Sequence, residues 1–454
     1  MVRDTAEPPA PPQARAVFTD VELAARGKRV LELLKDQVNH PAALLVLGNP
    51  PKVLSEDMQY RYRPGSDLFY LTDSEHPHLA ALLAPERKTR LYYLDRAQLE
   101  SGVPRGASFE RELALEPGAE GVFKNLEQEL VRLRDLGVRV HAAFDAAAWA
   151  RVAAGPAQPK LGIENHFRAL LELCPGATGA SPAALCALRQ ARLRKSEQEL
   201  ARMDRAAAAA LRAHALVSQL ALGNPAPSEA QLSAHARVCF GELGCNDVSF
   251  PNIVCTGHNC FVLHHRPQRR ASLAALGPRE LPQLLLDLGP SFQGYASDFS
   301  TAHWCGERSD PNYAHWARVK VAVRAVLDAM VGACCVGCSV EGLQEVYAKA
   351  RGGQIQALLL DGPAAGLIGV DPARALPELT PHGVLHWVGI DVHDPSPACM
   401  AARKIPFEEG FTLALEPALY FGLEFPDKRY RGVAVRLEET VVVMASGARK
   451  LGAQ

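Results

Sequence analysis

Asp287, Asp298, His386, Glu416 and Glu438 follow one another through the last third of a 454-residue chain. Four carboxylates and one imidazole make an oxygen-rich donor set. It suits Mn²⁺, Co²⁺, Zn²⁺ or Fe²⁺ and is unlike the cysteine-rich shell of a structural zinc. Three of the five end short apolar runs: LLLD at Asp287, TLALE at Glu416 and VAVRLE at Glu438. A carboxylate at the edge of a buried strand is costly unless it is paired, hydrogen-bonded or bound to metal. Asp287 and Asp298 bound the stretch DLGPSFQGYASD, where a hairpin across the glycine turn would bring two like charges together and call for a counter-cation. Taken alone, this pair fits a turn aspartate and a cap equally well. Two hard cations about 3.5–4 Å apart share a water and lower its pKa toward neutrality, so metal-assisted hydrolysis is the expected reaction class.

His382, His386 and His393 crowd into PHGVLHWVGIDVHD, and His264 ends the apolar run FVLHH. A single histidine among apolar neighbours is usually a satisfied core residue. Three so close together point to one ligand plus groups that meet a substrate. Gly383 and the alternation in VGIDVHD predict a loop and a strand, which excludes a helical HExxH zinc motif. Arg436 lies two residues before Glu438. Buried beside a ligand carboxylate, it would orient that group. The other reading of RLEE, a solvated charge cluster on an edge strand, fits poorly with its apolar flanks.

The elements that must carry these residues fall into two styles. Residues 17–185 read as mixed α/β. A helix is expected over VELAARGKRVLELL, strands over AALLVLG, FYLT, HLAALLAP and TRLYYLD, and helices around 107–115 and 124–136. A Pro- and Gly-containing connector spans 153–181. Residues 189–454 form the second domain. Capping boxes at Ser196–Glu199 and Ser228–Gln231 start two helices, followed by strands over VSFPNIVC, FVLHH and LLLDLG. The pattern then recurs, with helices over 312–333 and 339–352 and strands carrying HGVLHW, TLALE and VRLEETVVV. A helix pair followed by strands, twice over, predicts two related halves. The aspartates belong to the first half, His386 and the glutamates to the second, and such a junction is a common place for a pocket.

Bulk properties exclude several classes. Hydrophobic residues make up 48% and charged residues 22%, as in a globular protein with a real core. Lys plus Arg (49) nearly cancel Asp plus Glu (50), so no global field favours nucleic acid or a membrane surface. No apolar run reaches membrane-spanning length. The start, MVRDTAEPPAPPQARAVF, lacks a signal-peptide core, and residues 1–16 read as a disordered arm. The 11 cysteines, an odd number, predict free thiols in a reducing compartment, hence the cytoplasm. The lone pair Cys335 and Cys338 reads as turn residues between two helices.

LLLDLGPSFQGYASDFS, HGVLHWVGIDVHD, LALEPALY and YRGVAVRLEETVVV, in that order, resemble the motifs of the M24B metallopeptidases, the Xaa-Pro aminopeptidases (aminopeptidase P) and prolidases. IVCTGHNCFVLHH is similar to their upstream histidine segment, and RYRPGSDLFYLTDSEHPHLAALLAPE to the amino-terminal domain of aminopeptidase P. The resemblance implies an amino-terminal α/β domain followed by a pita-bread catalytic domain with two pseudo-symmetric halves. It implies a site for two divalent ions, Mn²⁺ being the family's usual choice. Asp287 would bind one ion, Asp298 and Glu438 would bridge both, and His386 and Glu416 would complete the second. Glu416 would also shuttle the proton, His264 would stabilise the scissile carbonyl, His382 and His393 would shape the proline pocket, and Arg436 would support the ligands. The implied substrates are peptides with proline in second position, and the implied assembly is a homodimer or homotetramer. Prolidase is the near alternative; a methionine aminopeptidase and an inactive binding module are further ones. Departures from the pattern include Ala418 for a usual glycine, His265 for a usual aromatic residue, His258 where an acidic residue can occur, and FSTAHW after Asp298.

Overall fold

The structure is a computed structural model that describes residues 18–49, 53–55, 58–59, 63–75, 79–85, 90–93, 119–145, 180–367, 376–397 and 402–453. The arm expected over 1–16, the helix expected around 107–115 and the connector up to residue 179 lie outside these residues. The main division of the chain falls between Arg192 and Leu193.

The first unit opens with a helix, Asp20–Gln37, started by Thr19, whose hydroxyl accepts the Glu22 N–H. It is followed by β1 (Ala42–Leu47), buried at every residue and therefore suited to the inside of a sheet. β2 (Val53–Ser55) and β3 (Met58–Gln59) pair with each other. β4 (Leu79–Leu83), β5 (Arg90–Tyr93), β6 (Ala119–Val122) and β7 (Arg139–Ala143) join β1 in a five-stranded sheet ordered β6-β5-β4-β1-β7. β1 is antiparallel to β4 and parallel to β7. The helix Phe123–Asp135 lays Leu126, Leu130 and Leu133 on the core with Leu45, Leu82 and Tyr92.

FYLT, expected as a strand, lies instead in a helix, Ser66–Thr72. A short apolar run cannot reveal its own period. Here Gly65 opens a helical turn and Asp73 closes it in the left-handed region, at φ 54°.

In the second unit both capping boxes form and start the helices Glu197–Leu220 and Glu229–Glu242. β8 (Asp247–Val248), β9 (Ile253–Thr256), β10 (Gln283–Asp287), β11 (Pro290–Phe292), β12 (Tyr295–Ala296) and β13 (Ser300–Trp304) follow. They make two antiparallel sheets, β13-β10-β9 and β12-β11-β8. The second half repeats the plan. Helices Pro311–Ala333 and Val340–Leu359 precede β14 (Leu385–Trp387), β15 (Thr412–Leu415), β16 (Ala418–Tyr420), β17 (Ala434–Arg436), β18 (Glu439–Val443) and β19 (Ala448–Lys450). Four of these strands form the sheet β14-β15-β18-β19, and β16 pairs with β17. Mixed α/β architecture with two repeating halves is thus what the sequence predicts. Ile253, Cys255 and Leu285 of the first half pack with Ala418, Tyr420 and Ala434 of the second, which joins the halves by apolar burial.

Three expectations need correction. FVLHH is not a strand: Phe261 ends a single 3₁₀ turn, Gly257–Phe261, and His264 and His265 follow outside any strand. Val262 and His265 donate their backbone N–H groups to local turn carbonyls, and the His265 side chain turns toward the buried Glu229 carboxylate. In VGIDVHD the strand stops at Trp387, and bends follow. Asp394 accepts the Asp391 N–H and fills the space a side chain at Gly389 would need, so the chain curls there. Cys186 is disulfide-bonded, although eight other described cysteines are free thiols. Spacing does not reveal which thiols the fold brings together.

The link between Asp287 and Asp298 turns through the β11–β12 hairpin. A Cβ at Gly289 would stand 2.0 Å from the Ser297 carbonyl oxygen, so only glycine admits that crossing. Gly289→Ala is expected to destabilise the protein by more than about 1 kcal/mol through overpacking and to weaken metal retention. Thermal unfolding together with metal analysis checks this, and an unaltered melting temperature would refute it.

Candidate metal centre

Each site residue reaches the centre by a backbone contact that ties two strands or the two halves. Asp287 ends β10, opposite Ser300 of β13. Asp298 lies just before β13; its N–H donates to the Thr440 hydroxyl (3.1 Å), which donates in turn to the Asp298 carbonyl (2.7 Å). The Glu438 N–H donates to the Ser300 carbonyl at 2.9 Å. These contacts stitch the first half to the second at the point where the carboxylates meet. On β14, His386 pairs with Ala414 of β15, and the Glu416 N–H donates to the Val384 carbonyl at 2.9 Å.

Asp298, His386 and Glu438 each place one donor atom within 4.8 Å of the others. His386 Nε2 is 3.5 Å from Asp298 Oδ2 and 3.8 Å from both Glu416 Oε1 and Glu438 Oε1. Asp287 is held by Arg436, whose Nη2 donates to Oδ2 at 2.7 Å. Arg436 also donates from Nε to the Ser300 hydroxyl and from Nη1 to the Tyr420 hydroxyl, both at 3.0 Å. Ser300 donates to Glu438 Oε2 at 2.9 Å, so one buried guanidinium braces two of the acids.

The remaining histidines surround this core. His382 Nδ1 donates to the Gly383 carbonyl at 2.6 Å and lies 3.5 Å from Glu416 Oε2. The His393 ring packs on that of His386, with centroids 4.1 Å apart. His264 is exposed, and both His382 and His393 interact with it electrostatically. All nine residues singled out from the sequence thus occur in one neighbourhood. Ser300, Tyr420 and Thr440 were missed. Each lies within two or four residues of a singled-out acid, but a hydroxyl near a ligand carries no distinctive spacing.

Burial and crowding strain the charges. Burial, then repulsion from Glu438 and Glu416 against the pull of Arg436, lifts the Asp287 carboxyl to about 7. Burial and the neighbouring Glu438 lift Glu416 to about 8. Asp298 is raised well above its ordinary value by burial and by Glu438. Burial opposes charge on Glu438 too, but His386, Arg436 and Ser300 outweigh it and hold Glu438 low. Burial alone would lower His386; the neighbouring carboxylates of Asp298 and Glu438 raise it well above the usual imidazole range. The set therefore lacks positive charge for its four acids.

The family model for metallopeptidase family M24 matches residues 201–445, more than half of the chain. The chain belongs to metallopeptidase family M24. A second model, the amino-terminal domain of aminopeptidase P, matches residues 24–114. The chain is 25% identical to the Xaa-Pro aminopeptidase of Escherichia coli (strain K12), over 94% of each chain. It is 24% identical to the mitochondrial intermediate cleaving peptidase 55 of Arabidopsis thaliana, over 94% of this chain and 78% of that one. The proline aminopeptidase P II of Yersinia pestis superposes with a TM-score of 0.73 at 24% identity, covering 96% of both chains. The resemblance drawn from the motifs is borne out, as is the pita-bread architecture. No helix among the described residues is long and apolar enough to cross a membrane.

The M24 assignment implies divalent metal, and the residues fit one. Asp287 Oδ1 and Asp298 Oδ1 are buried and accept no hydrogen bond, which is costly for carboxylate oxygens unless a cation faces them. The raised acids generate a testable pH dependence. Asp287 and Glu416 titrate near 4 when unfolded but near 7 and 8 when folded, so the folded, metal-free protein binds more protons between these limits. Their contribution to stability is therefore lost as pH rises from about 4 to about 8. A divalent ion needs the deprotonated acids and should expel those protons. Titration calorimetry with Mn²⁺ at pH 7, in buffers of different ionisation enthalpy, is expected to show proton release; enthalpies independent of buffer would contradict it.

Proposed function

We propose that this M24 peptidase is a Xaa-Pro aminopeptidase, which removes an amino-terminal residue that precedes proline. The observation that carries the reading is the convergence of Asp298, His386 and Glu438, with Glu416 beside His386 and Asp287 tied in through Arg436. The chain also aligns nearly end to end with a Xaa-Pro aminopeptidase and matches the aminopeptidase P amino-terminal model. The latter favours an aminopeptidase over a prolidase, since the difference between them lies in what closes the far end of the cleft.

Asp287, Asp298, His386, Glu416 and Glu438 would hold two divalent ions, Mn²⁺ first among the candidates. Such ions supply a hydroxide nucleophile at neutral pH and polarise the scissile carbonyl. The protein's own groups do the rest. Arg436 holds Asp287 through Nη2 and, through the Ser300 hydroxyl that Nε meets, Glu438, which keeps both acids aimed inward. His264, exposed to the solvent, would donate to the carbonyl oxygen as negative charge develops there. The Xaa-Pro bond is a tertiary amide, so its nitrogen carries no proton and must gain one to leave as an amine. Glu416, whose Oε1 lies 3.8 Å from His386 Nε2, would take the proton of the attacking water and deliver it to that nitrogen. The products are a free amino acid and a peptide beginning with proline. His382 and His393 would line the pocket for the proline ring.

Purified protein loaded with Mn²⁺ is expected to release Xaa from Xaa-Pro-Yaa tripeptides and longer peptides. Cleavage confined to Xaa-Pro dipeptides would instead identify a prolidase, and no release from a folded, metal-loaded protein would refute the reading. Glu416→Ala is expected to lower kcat by at least about 10²-fold, as loss of general acid–base catalysis does, with little change in secondary structure. A near-normal kcat would remove Glu416 from the mechanism.

A further inference from the structure

Glu229 opens the helix Glu229–Glu242 and is fully buried, with 0% of its surface exposed. It lies outside the acidic cluster, yet it gathers five donors. Oε1 accepts the Thr256 N–H (2.7 Å), the Thr256 hydroxyl (2.9 Å) and the Asn259 side-chain amide (2.9 Å). Oε2 accepts His265 Nε2–H (2.7 Å) and the Gln268 N–H (3.1 Å). All five donors belong to one segment, residues 256–268. The helix backbone adds two contacts, from the Glu229 N–H to the Ala271 carbonyl and from the Ala230 N–H to the Gln268 carbonyl.

That segment carries His264, and past Thr256 it has no strand to hold it in place. Its one regular piece is the 3₁₀ turn Gly257–Phe261. Neighbouring side chains therefore divide the work. His265 is buried against Glu229, whereas its neighbour His264 is exposed and interacts electrostatically with His382 and His393. Anchoring one ring fixes the direction of the next.

We propose that Glu229 and His265 are positioning residues: their buried pair clamps the segment 256–268 and so presents His264 to the scissile carbonyl. This inference rests on the role given to His264 above. The carboxylate suits the task because a charged acceptor holds several donors at once and strengthens each bond. Its burial keeps water from competing.

His265→Leu, His265→Gln and Glu229→Gln test it, with His265→Leu also made in a His264→Ala background. His265→Leu is expected to lower kcat on Xaa-Pro-Yaa roughly 10–100-fold, the effect of a slightly misplaced catalytic group. KM and metal content should stay close to those of the unaltered enzyme. His265→Gln keeps an N–H for Glu229 and should recover most of the loss. In the His264→Ala background His265→Leu should add no further loss, because both changes remove the same contribution. Hydrogen exchange of the 256–268 amides should accelerate in His265→Leu and Glu229→Gln. A full additional loss in the His264→Ala background, no recovery by Gln, or an unchanged kcat in His265→Leu would overturn the proposal. Should the unaltered enzyme release no Xaa, the functional reading fails by itself. The exchange experiment then decides the clamp, and unaltered exchange in both variants would overturn it.

Discussion

Four acids gathered at one buried point repel one another, and most of the catalytic unit is arranged around that repulsion. Two like charges about 4 Å apart in a protein cost about 4 kcal/mol at an effective dielectric near 20. Two cationic side chains answer it. Arg436 pairs with Asp287 and braces Ser300, which in turn holds Glu438, and His386 sits among Asp298, Glu416 and Glu438. They do not suffice, as the raised Asp287, Asp298 and Glu416 show. The residual imbalance would favour a divalent cation here. Removing Arg436 would leave a buried charge unmatched, a defect that typically costs about 3–5 kcal/mol.

Repelling groups stay together only if stronger forces hold their backbones. The hydrophobic contact of Ile253 and Leu285 with Ala418, Tyr420 and Ala434 supplies one such force, and the Thr440 clip on Asp298 another. Neither half carries the site alone: the first presents two aspartates, the second an imidazole and two glutamates. The surrounding loops are fastened in a different way. Lys195 pairs with Asp394, both buried, beneath the bend that carries His393, and Glu229 gathers the segment that carries His264. Buried ionic and hydrogen-bonded anchors thus hold the groups proposed to meet substrate, while strand pairing holds those proposed to meet metal.

Much of this was legible along the chain. The capping boxes at Ser196 and Ser228, the repeat of helix pair and strands, and the five donor residues all announce themselves locally. Short apolar runs did not. FYLT became a helical turn because Gly65 and Asp73 bound it, and FVLHH left the strand pattern where its backbone closes local turns and Glu229, far away in sequence, draws in His265. The disulfide on Cys186 escaped for the same reason, since proximity through space leaves no trace in spacing.

By itself, then, the sequence determined the chemistry of the donor set and the order of the elements that bear it. Side-chain type and local periodicity are properties of neighbouring residues, so they can be read there. The tertiary structure alone decided which oxygens converge, which of them hold protons, and which histidine is buried beside an exposed twin. Those outcomes depend on energies that fall with distance through space, between groups as far apart in the chain as Asp287 and Arg436, and only the folded backbone sets those distances.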